Sequence, residues 1–310
     1  MLRNLSLYTE FLRLLILLSI FVSSTILACS GSETCIEKSS WQLGIALGVG
    51  VKTNPLVDGD DLPLVILPDI AWYADKAYFD NGELGYQWLN QPKFAFETFL
   101  TLERESAFFR FLHPANILAP TEGSSGRFIS APSDSSTDNY PNNSAGEPLN
   151  ENIQGPLTNL SIDEIANRKW AVNGGVRGHY FLLDGEWQLT FQQDISKVHK
   201  GHQVGLEYSH SWQWHDFRLG LRIGTDWKSA RLIDYYYGVS QRDTDLSEFY
   251  FNGKSGWQTY ISINAQKPIN KDWSWLANIG YRRLPNSLTS SPLIDQNSIC
   301  NVFLGVAYRF

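Results

Sequence analysis

The chain ends Asn301-Val302-Phe303-Leu304-Gly305-Val306-Ala307-Tyr308-Arg309-Phe310, and this stretch decides the fold. Val302, Leu304, Val306, Tyr308 and Phe310 fall at every second position, with Asn301, Phe303, Gly305, Ala307 and Arg309 between them. Side chains alternate across a strand, so one face is apolar and the other small or polar. A half-buried strand in a soluble sheet has the same alternation. The aromatic at the last residue, with Tyr308 two places before it, favours a face that meets lipid. The rest of the chain decides between the two.

The period recurs along the chain. Trp41, Leu43, Ile45, Leu47, Val49 and Val51 alternate with Gln42, Gly44, Ala46, Gly48, Gly50 and Lys52. That is long enough for a transmembrane strand, which needs ~9–11 residues. The inward set is mostly Gly and Ala, as a tilted barrel wall requires. Pro63 to Ala74 reads as a second strand with Leu64, Ile66, Ile70 and Trp72 on one face. Asn81-Gly82, between Ala77–Asp80 and Glu83–Leu89, is a strong hairpin signal. Phe217, Leu219, Leu221, Ile223, Thr225 and Trp227 face one way, and Arg218, Gly220, Arg222, Gly224, Asp226 and Lys228 the other. Charges of both signs among glycines read as a crowded polar lumen. Trp187, Trp212, Trp273 and Trp275 sit beside short turns, where an interfacial aromatic belt places them.

Residues 105–167 break the pattern. The segment holds Pro114, Pro120, Pro132, Pro141, Pro148 and Pro156, and its eight acidic residues face only Arg110 and Arg127. A structureless loop of that size is out of place in a compact soluble domain. Barrels have long extracellular loops and short periplasmic turns. With this loop outside, both chain ends periplasmic and the strand number even, the Asn81-Gly82 hairpin must be real and the count is twelve, with ten as the alternative. The fold class is therefore all-β: a transmembrane antiparallel barrel over residues 41–310, with 105–167 as a long acidic extracellular loop.

Composition agrees. Charged residues make up 18% and aromatics 14% of 310 residues, and the net charge is −7, which speaks against nucleic acid as a partner. Residues 1–28 read as a signal peptide: Arg3 and Arg13 precede the apolar core Leu14–Val22, which is too short for the ~20 residues of a spanning helix. Residues 29–40 then form a periplasmic segment. Export implies an oxidising compartment, so Cys29 and Cys35 are read as a local disulfide, with lipidation of Cys29 as the rival. Cys300 lies in phase with the apolar face of the last strand and acts as a small hydrophobe.

No catalytic constellation stands out, and the chain is read as a non-enzyme without cofactor or metal. His199-Lys200-Gly201-His202 is the one histidine cluster. It lacks carboxylate or thiolate neighbours in sequence for a metal site, so it reads as a solvated turn. A pairing of Ser209 with His179 can be drawn, but nothing singles it out. Arg218, Arg222, Arg282, Glu207 and Asp226 point inward as a lumen lining, either a pore wall or charges that satisfy one another in a plugged barrel.

Several blocks carry a resemblance to the MipA/OmpV family of outer-membrane proteins. They are Trp41 to Gly50 followed by Asn54-Pro55; Leu67-Pro68 with Trp72-Tyr73, Phe79 and Leu84-Gly85; and Asp234-Tyr235-Tyr236-Tyr237-Gly238-Val239 with Tyr250. The last is Ser291-Pro292 with Gly305-Val306-Ala307-Tyr308-Arg309-Phe310. The final strand resembles the closing strand of bacterial barrels, in which Gly305, Tyr308 and Phe310 would serve as a signal to the barrel-assembly machinery. The resemblance implies a barrel among outer-membrane lipid and lipopolysaccharide, acting as a scaffold that joins a lytic transglycosylase to a penicillin-binding protein. Its other implied readings are a small-solute porin and an adhesion or stress-response barrel.

Overall fold

A computed structural model describes residues 40–118, 165–182 and 185–310. Among them, twelve antiparallel strands make a closed wall: β1 Trp41–Lys52, β2 Ile66–Tyr73, β3 Ala77–Asp80, β4 Glu83–Gln91, β5 Phe94–Leu102, β6 Val172–Leu182, β7 Gly185–Asp194, β8 His202–Trp214, β9 Phe217–Lys228, β10 Gly256–Pro268, β11 Trp273–Arg283 and β12 Ser298–Arg309. Each pairs with the next, and β12 returns to β1 from Gly44↔Arg309 to Lys52↔Asn301. The two-residue piece Leu62–Pro63 adds a short pairing beside β1. The count of twelve rests on the Asn81-Gly82 turn. Both residues have positive φ (44° and 94°), as a two-residue turn of a twisted hairpin requires.

The alternation sets the two faces. Val49, Leu304 and Ile279 are exposed on the outer surface, while Ala46, Gln258 and Asn278 are buried inside. A closed sheet has no edge, and closure here runs through glycines. Gly48 faces Gly305 across the β1–β12 seam, and a Cβ on Gly305 would lie 2.3 Å from the Leu47 carbonyl oxygen. At the turn end of the barrel the aromatics form a belt. Trp41 packs with Trp72 and Phe79, Trp187 with Tyr208, and Trp273 with Tyr308, which in turn meets Phe310. Among the described residues no helix is long and apolar enough to cross a membrane.

The loop end is more ordered than the sequence reading expected. The first part of the 105–167 segment folds into a 3₁₀ turn, Arg104–Phe109, and a short helix, α1 Pro114–Ile117. The helix α2, Ala230–Tyr237, and the turn of helix α3, Asn286–Thr289, also close this end. Leu232, Ile233, Tyr236 and Tyr237 fall on one face of α2 and form an apolar core with Leu56, Val239, Leu284, Leu288 and Leu293. Arg168 ties the layer together. Its guanidinium donates to the Tyr236, Gly238 and Ala166 carbonyls and to Asp243 Oδ1 at 2.7 Å, so four of its five N–H groups are bonded and its charge is paired.

Two local readings are corrected. Leu64 does not share a face with Ile66; it is buried inside with Leu67 and Phe303, while Ile66 is exposed, because the strand is interrupted at residues 64 and 65, between Leu62–Pro63 and β2. The His199 turn is not solvated. His199 is buried, its Nδ1 accepts from Gly201 N at 3.0 Å, and Asp194 Oδ2 accepts from the backbone of His199 and Lys200.

The polar lumen and its closed end

The wall encloses a cavity of about 570 Å³. Nine carboxylates line it against six Lys and Arg side chains, so its field is negative and favours cations. On the side of β1, β11 and β12 the lumen is filled by Phe303 and Leu276 packed against Ala46 and Ala307. The cavity therefore lies against the other strands.

Two networks hold its charges. The first crosses β4 to β7. Arg177 donates two bonds of 2.8 Å to the Glu83 carboxylate and one of 2.5 Å to Glu97, and its plane lies 4.1 Å from the Phe99 ring centroid. Tyr78 donates to Glu83 at 2.8 Å. His179 continues the chain, with Nδ1 2.5 Å from Glu186 and Nε2 3.4 Å from Glu97. A bidentate Arg between two acids is the strong form of such a contact. The second network crosses β8 to β11. Tyr260 donates to Glu207 at 2.7 Å, Arg282 donates to Asp226 at 2.9 Å, and Arg282 stacks 4.5 Å over Tyr260. An amide ladder, Asn301 to Asn278 to Ser262, completes the inner wall.

The loop end is closed over these networks. Glu105, on the 3₁₀ turn, accepts from Lys228 at the end of β9 and from Tyr237 on α2. Burial pushes its carboxyl up, but Lys228 and Tyr237 outweigh burial and hold it below the ordinary range. Next to it His113 is buried. Its Nδ1 accepts from Ala115 N at 3.1 Å, so Nε2 carries the proton and faces Ser106 Oγ at 3.0 Å. Burial, with Lys52, Arg104 and Arg110 nearby, lowers the His113 pKa to about 4. Ser106 in turn donates to the Glu103 carbonyl. This Ser–His contact is structural, since the imidazole offers the hydroxyl no basic nitrogen.

Of the inward charges expected from the sequence, Glu207, Asp226 and Arg282 line the cavity and meet in the second network. Arg222 is buried on the lumen side of β9, and Arg218 is half-buried near the turn end. The sequence reading missed the first network and Glu105. Glu83, Glu97 and Arg177 each sit at inward positions of their strands, a signal that was present. Glu105 lies in a segment without period and gave none. His179 is held by Glu186 and lies beside Glu97, with no tie to Ser209. Gly305 lies in the seam, Tyr308 in the belt, and Phe310 is 76% exposed with its N–H bonded to the Leu43 carbonyl. Cys29, Cys35 and residues 1–28, expected above to be a signal peptide, lie outside the described residues.

A family model described as MltA-interacting protein MipA matches residues 45–310. The MltA-interacting protein of Escherichia coli K12 is 29% identical over 151 residues, 47% of this chain and 59% of that protein. Outer membrane protein OmpV of Vibrio cholerae is 26% identical, covering 48% of this chain and 58% of its own. Omp26La of Vibrio anguillarum is 25% identical with the same coverage. The chain thus spans less than two thirds of the length of the curated relatives it matches. Among solved structures, the NanC porin is similar over 86% of this chain and all of its own, at 8% identity and a TM-score of 0.38, a likeness too distant to argue from.

Proposed function

This chain belongs to the MltA-interacting protein MipA family, and on that premise we propose that it is a capped outer-membrane barrel that holds peptidoglycan-remodelling enzymes at its periplasmic rim. It is a β-barrel protein of the outer membrane, like the relatives named so. The orientation we adopt puts the loop end outside and the short turns and both chain ends in the periplasm. The observation that carries the reading is the closed loop end: Glu105, Lys228 and Tyr237 join a folded segment, the wall and α2 over the lumen. With the lumen charges engaged in two networks below it, a continuous water path is disfavoured, and the barrel serves as a membrane anchor.

One relative carries the name MltA-interacting protein. By analogy we assign to this chain a lytic transglycosylase partner and, through it, a penicillin-binding protein. Gly305, Tyr308 and Phe310 we assign to recognition by the barrel-assembly machinery. The test is a crosslinking pull-down from native envelopes. Recovery of a transglycosylase with the assembled barrel supports the scaffold. Its absence, together with steady conductance of the purified protein in planar bilayers, would favour the porin reading, for which the negative cavity is the supporting feature.

A further inference from the structure

The cavity is a blind slot. Glu103, Glu105, His113 and Lys228 line its loop end and are all buried, so that end is shut. At the turn end Asp75 and Lys76, on the β2–β3 turn, and Asn90, beside the β4–β5 turn, line it and are exposed. That end is the mouth. Ala95 near the start of β5 and Glu103 just past its end both line the cavity. At ~3.3 Å per residue and a tilt of ~40°, the slot runs on the order of 20 Å along the barrel. A volume of about 570 Å³ over that length makes a long, narrow space. Its size falls in the ~300–1,000 Å³ range of sites that hold small ligands.

The lining says which ligand. Nine carboxylates against six Lys and Arg side chains leave a surplus of three negative charges with histidine neutral. The acids are spread along the slot, with Asp75 and Glu186 near the mouth, Asp80 and Glu207 midway and Glu103 under the cap. Neutral donors reach three of them. The Tyr73 hydroxyl donates to Asp80, the Tyr260 hydroxyl to Glu207 at 2.7 Å and the Asn173 amide to Glu103 at 2.6 Å. Such a donor occupies a lone pair and leaves the charge in place. Among the described residues no three His, Cys, Asp or Glu side chains converge to hold a metal ion. Charge dispersed along a narrow slot suits an extended cation with several separated ammonium groups. Carboxylates accept N–H bonds, and a primary ammonium offers three donors. Tyr73 and Tyr78, stacked with centroids 6.1 Å apart, and Phe181 supply ring faces near the mouth. Ammonium groups and the methylenes between them both pack on such faces.

We propose that the slot binds an aliphatic polyamine that enters from the turn end. The mouth is periplasmic in the orientation adopted above, and the closed cap makes the slot a place of retention and not of passage. This inference rests on the blind cavity and its charge, not on the scaffold reading, so loss of the enzyme partners in a pull-down leaves it unaffected.

The experiment titrates spermine into the full-length barrel in lipid nanodiscs at low salt, followed by calorimetry, with putrescine as the shorter diamine. Unheated gel mobility verifies that each variant is folded. The expected result is saturable binding of one spermine per barrel, tighter than putrescine by about tenfold or more, since the added ammonium groups reach further carboxylates. Glu207→Gln keeps the side-chain length and removes a charge, and Thr190→Trp fills the slot that Thr190 lines. Each should weaken spermine about tenfold or more. Asp216→Asn removes an exposed charge from a rim turn outside the cavity and should leave the affinity unchanged. If Thr190→Trp does not assemble, Glu207→Gln decides. Absence of saturable binding, equal affinity for putrescine, or an unchanged Glu207→Gln variant would overturn the site. So would an equal loss in Asp216→Asn, which would mean that spermine only screens surface charge.

Discussion

Lys228 and Glu105 meet as a buried ion pair across 123 positions of sequence, the ammonium donating to Oε1. One comes from the end of a wall strand, the other from the segment that closes the loop end, so the pair fastens the cap to the barrel. Removing one partner of a buried pair leaves an uncompensated charge and costs ~3–5 kcal/mol, whereas an apolar replacement of both is far milder. Lys228→Met and Glu105→Gln should each loosen the cap, measured as faster protease cleavage near residues 104–118. The double variant Glu105→Leu/Lys228→Met should be cut more slowly than either. Additive losses in the double would contradict a paired role.

Acid should loosen the same cap. The His113 pKa falls from 6.5 to about 4 on folding, so between those values the unfolded segment binds a proton that the folded one does not. Stability is then full above pH 6.5 and is lost as the pH falls toward 4. At ~1.4 kcal/mol per pKa unit the contribution is at most ~3 kcal/mol. The lowered Glu105 carboxyl acts in the same direction at lower pH. Cap opening followed by hydrogen exchange should steepen between pH 6.5 and 4, and His113→Gln should flatten that slope. An unchanged slope would remove His113 from the account.

At Gly48 the seam between first and last strands leaves no room for a side chain. A Cβ on Gly48 would lie 2.3 Å from the Leu304 carbonyl oxygen and 2.7 Å from the Gly305 Cα. Overpacking of this kind costs ~1–3 kcal/mol or more, and backbone cannot move aside as a side chain can. Gly48→Val should lower the yield of heat-modifiable barrel sharply, while Gly178→Ala, with nothing within 4 Å of its Cβ, should not. Equal yields of the two would show that closure does not depend on this contact.

The two faces of the wall should answer charge differently. Ile223 is 47% exposed on the outer face of β9, and Gln203 on β8 lines the cavity. An arginine on the lipid face costs ~2–4 kcal/mol at the midplane. Ile223→Arg should show that loss in urea titration of the barrel in lipid. Gln203→Arg should lose much less, because the cavity is polar and carries more carboxylates than cations. Equal losses would mean that the assigned faces are wrong.

Much of this was legible in the sequence because a barrel strand is a local pattern. Period two assigns a lipid face and a lumen face to each strand without reference to its neighbours, and the Asn81-Gly82 turn has a local backbone requirement. These determined the fold class, the count of twelve and the inward direction of Arg222, Asp226 and Arg282. Helix α2 could have been read as well, since Leu232-Ile233 and Tyr236-Tyr237 repeat at four, but the run of tyrosines read as the lead into a loop.

The tertiary structure alone decided which inward charges meet. Glu83, Glu97 and Arg177 come together because strand register, set by closure and shear, stacks them across the wall, and register is not written in any single strand. It also decided that the segment after Leu102 folds back over the lumen. Nothing periodic marks Glu105 or His113, whose positions follow from burial against Lys228, Tyr237 and Ser106. The turn beside β3 is of the same kind: the short strand could be read from the sequence, but the packing of Pro114–Leu118 next to it could not.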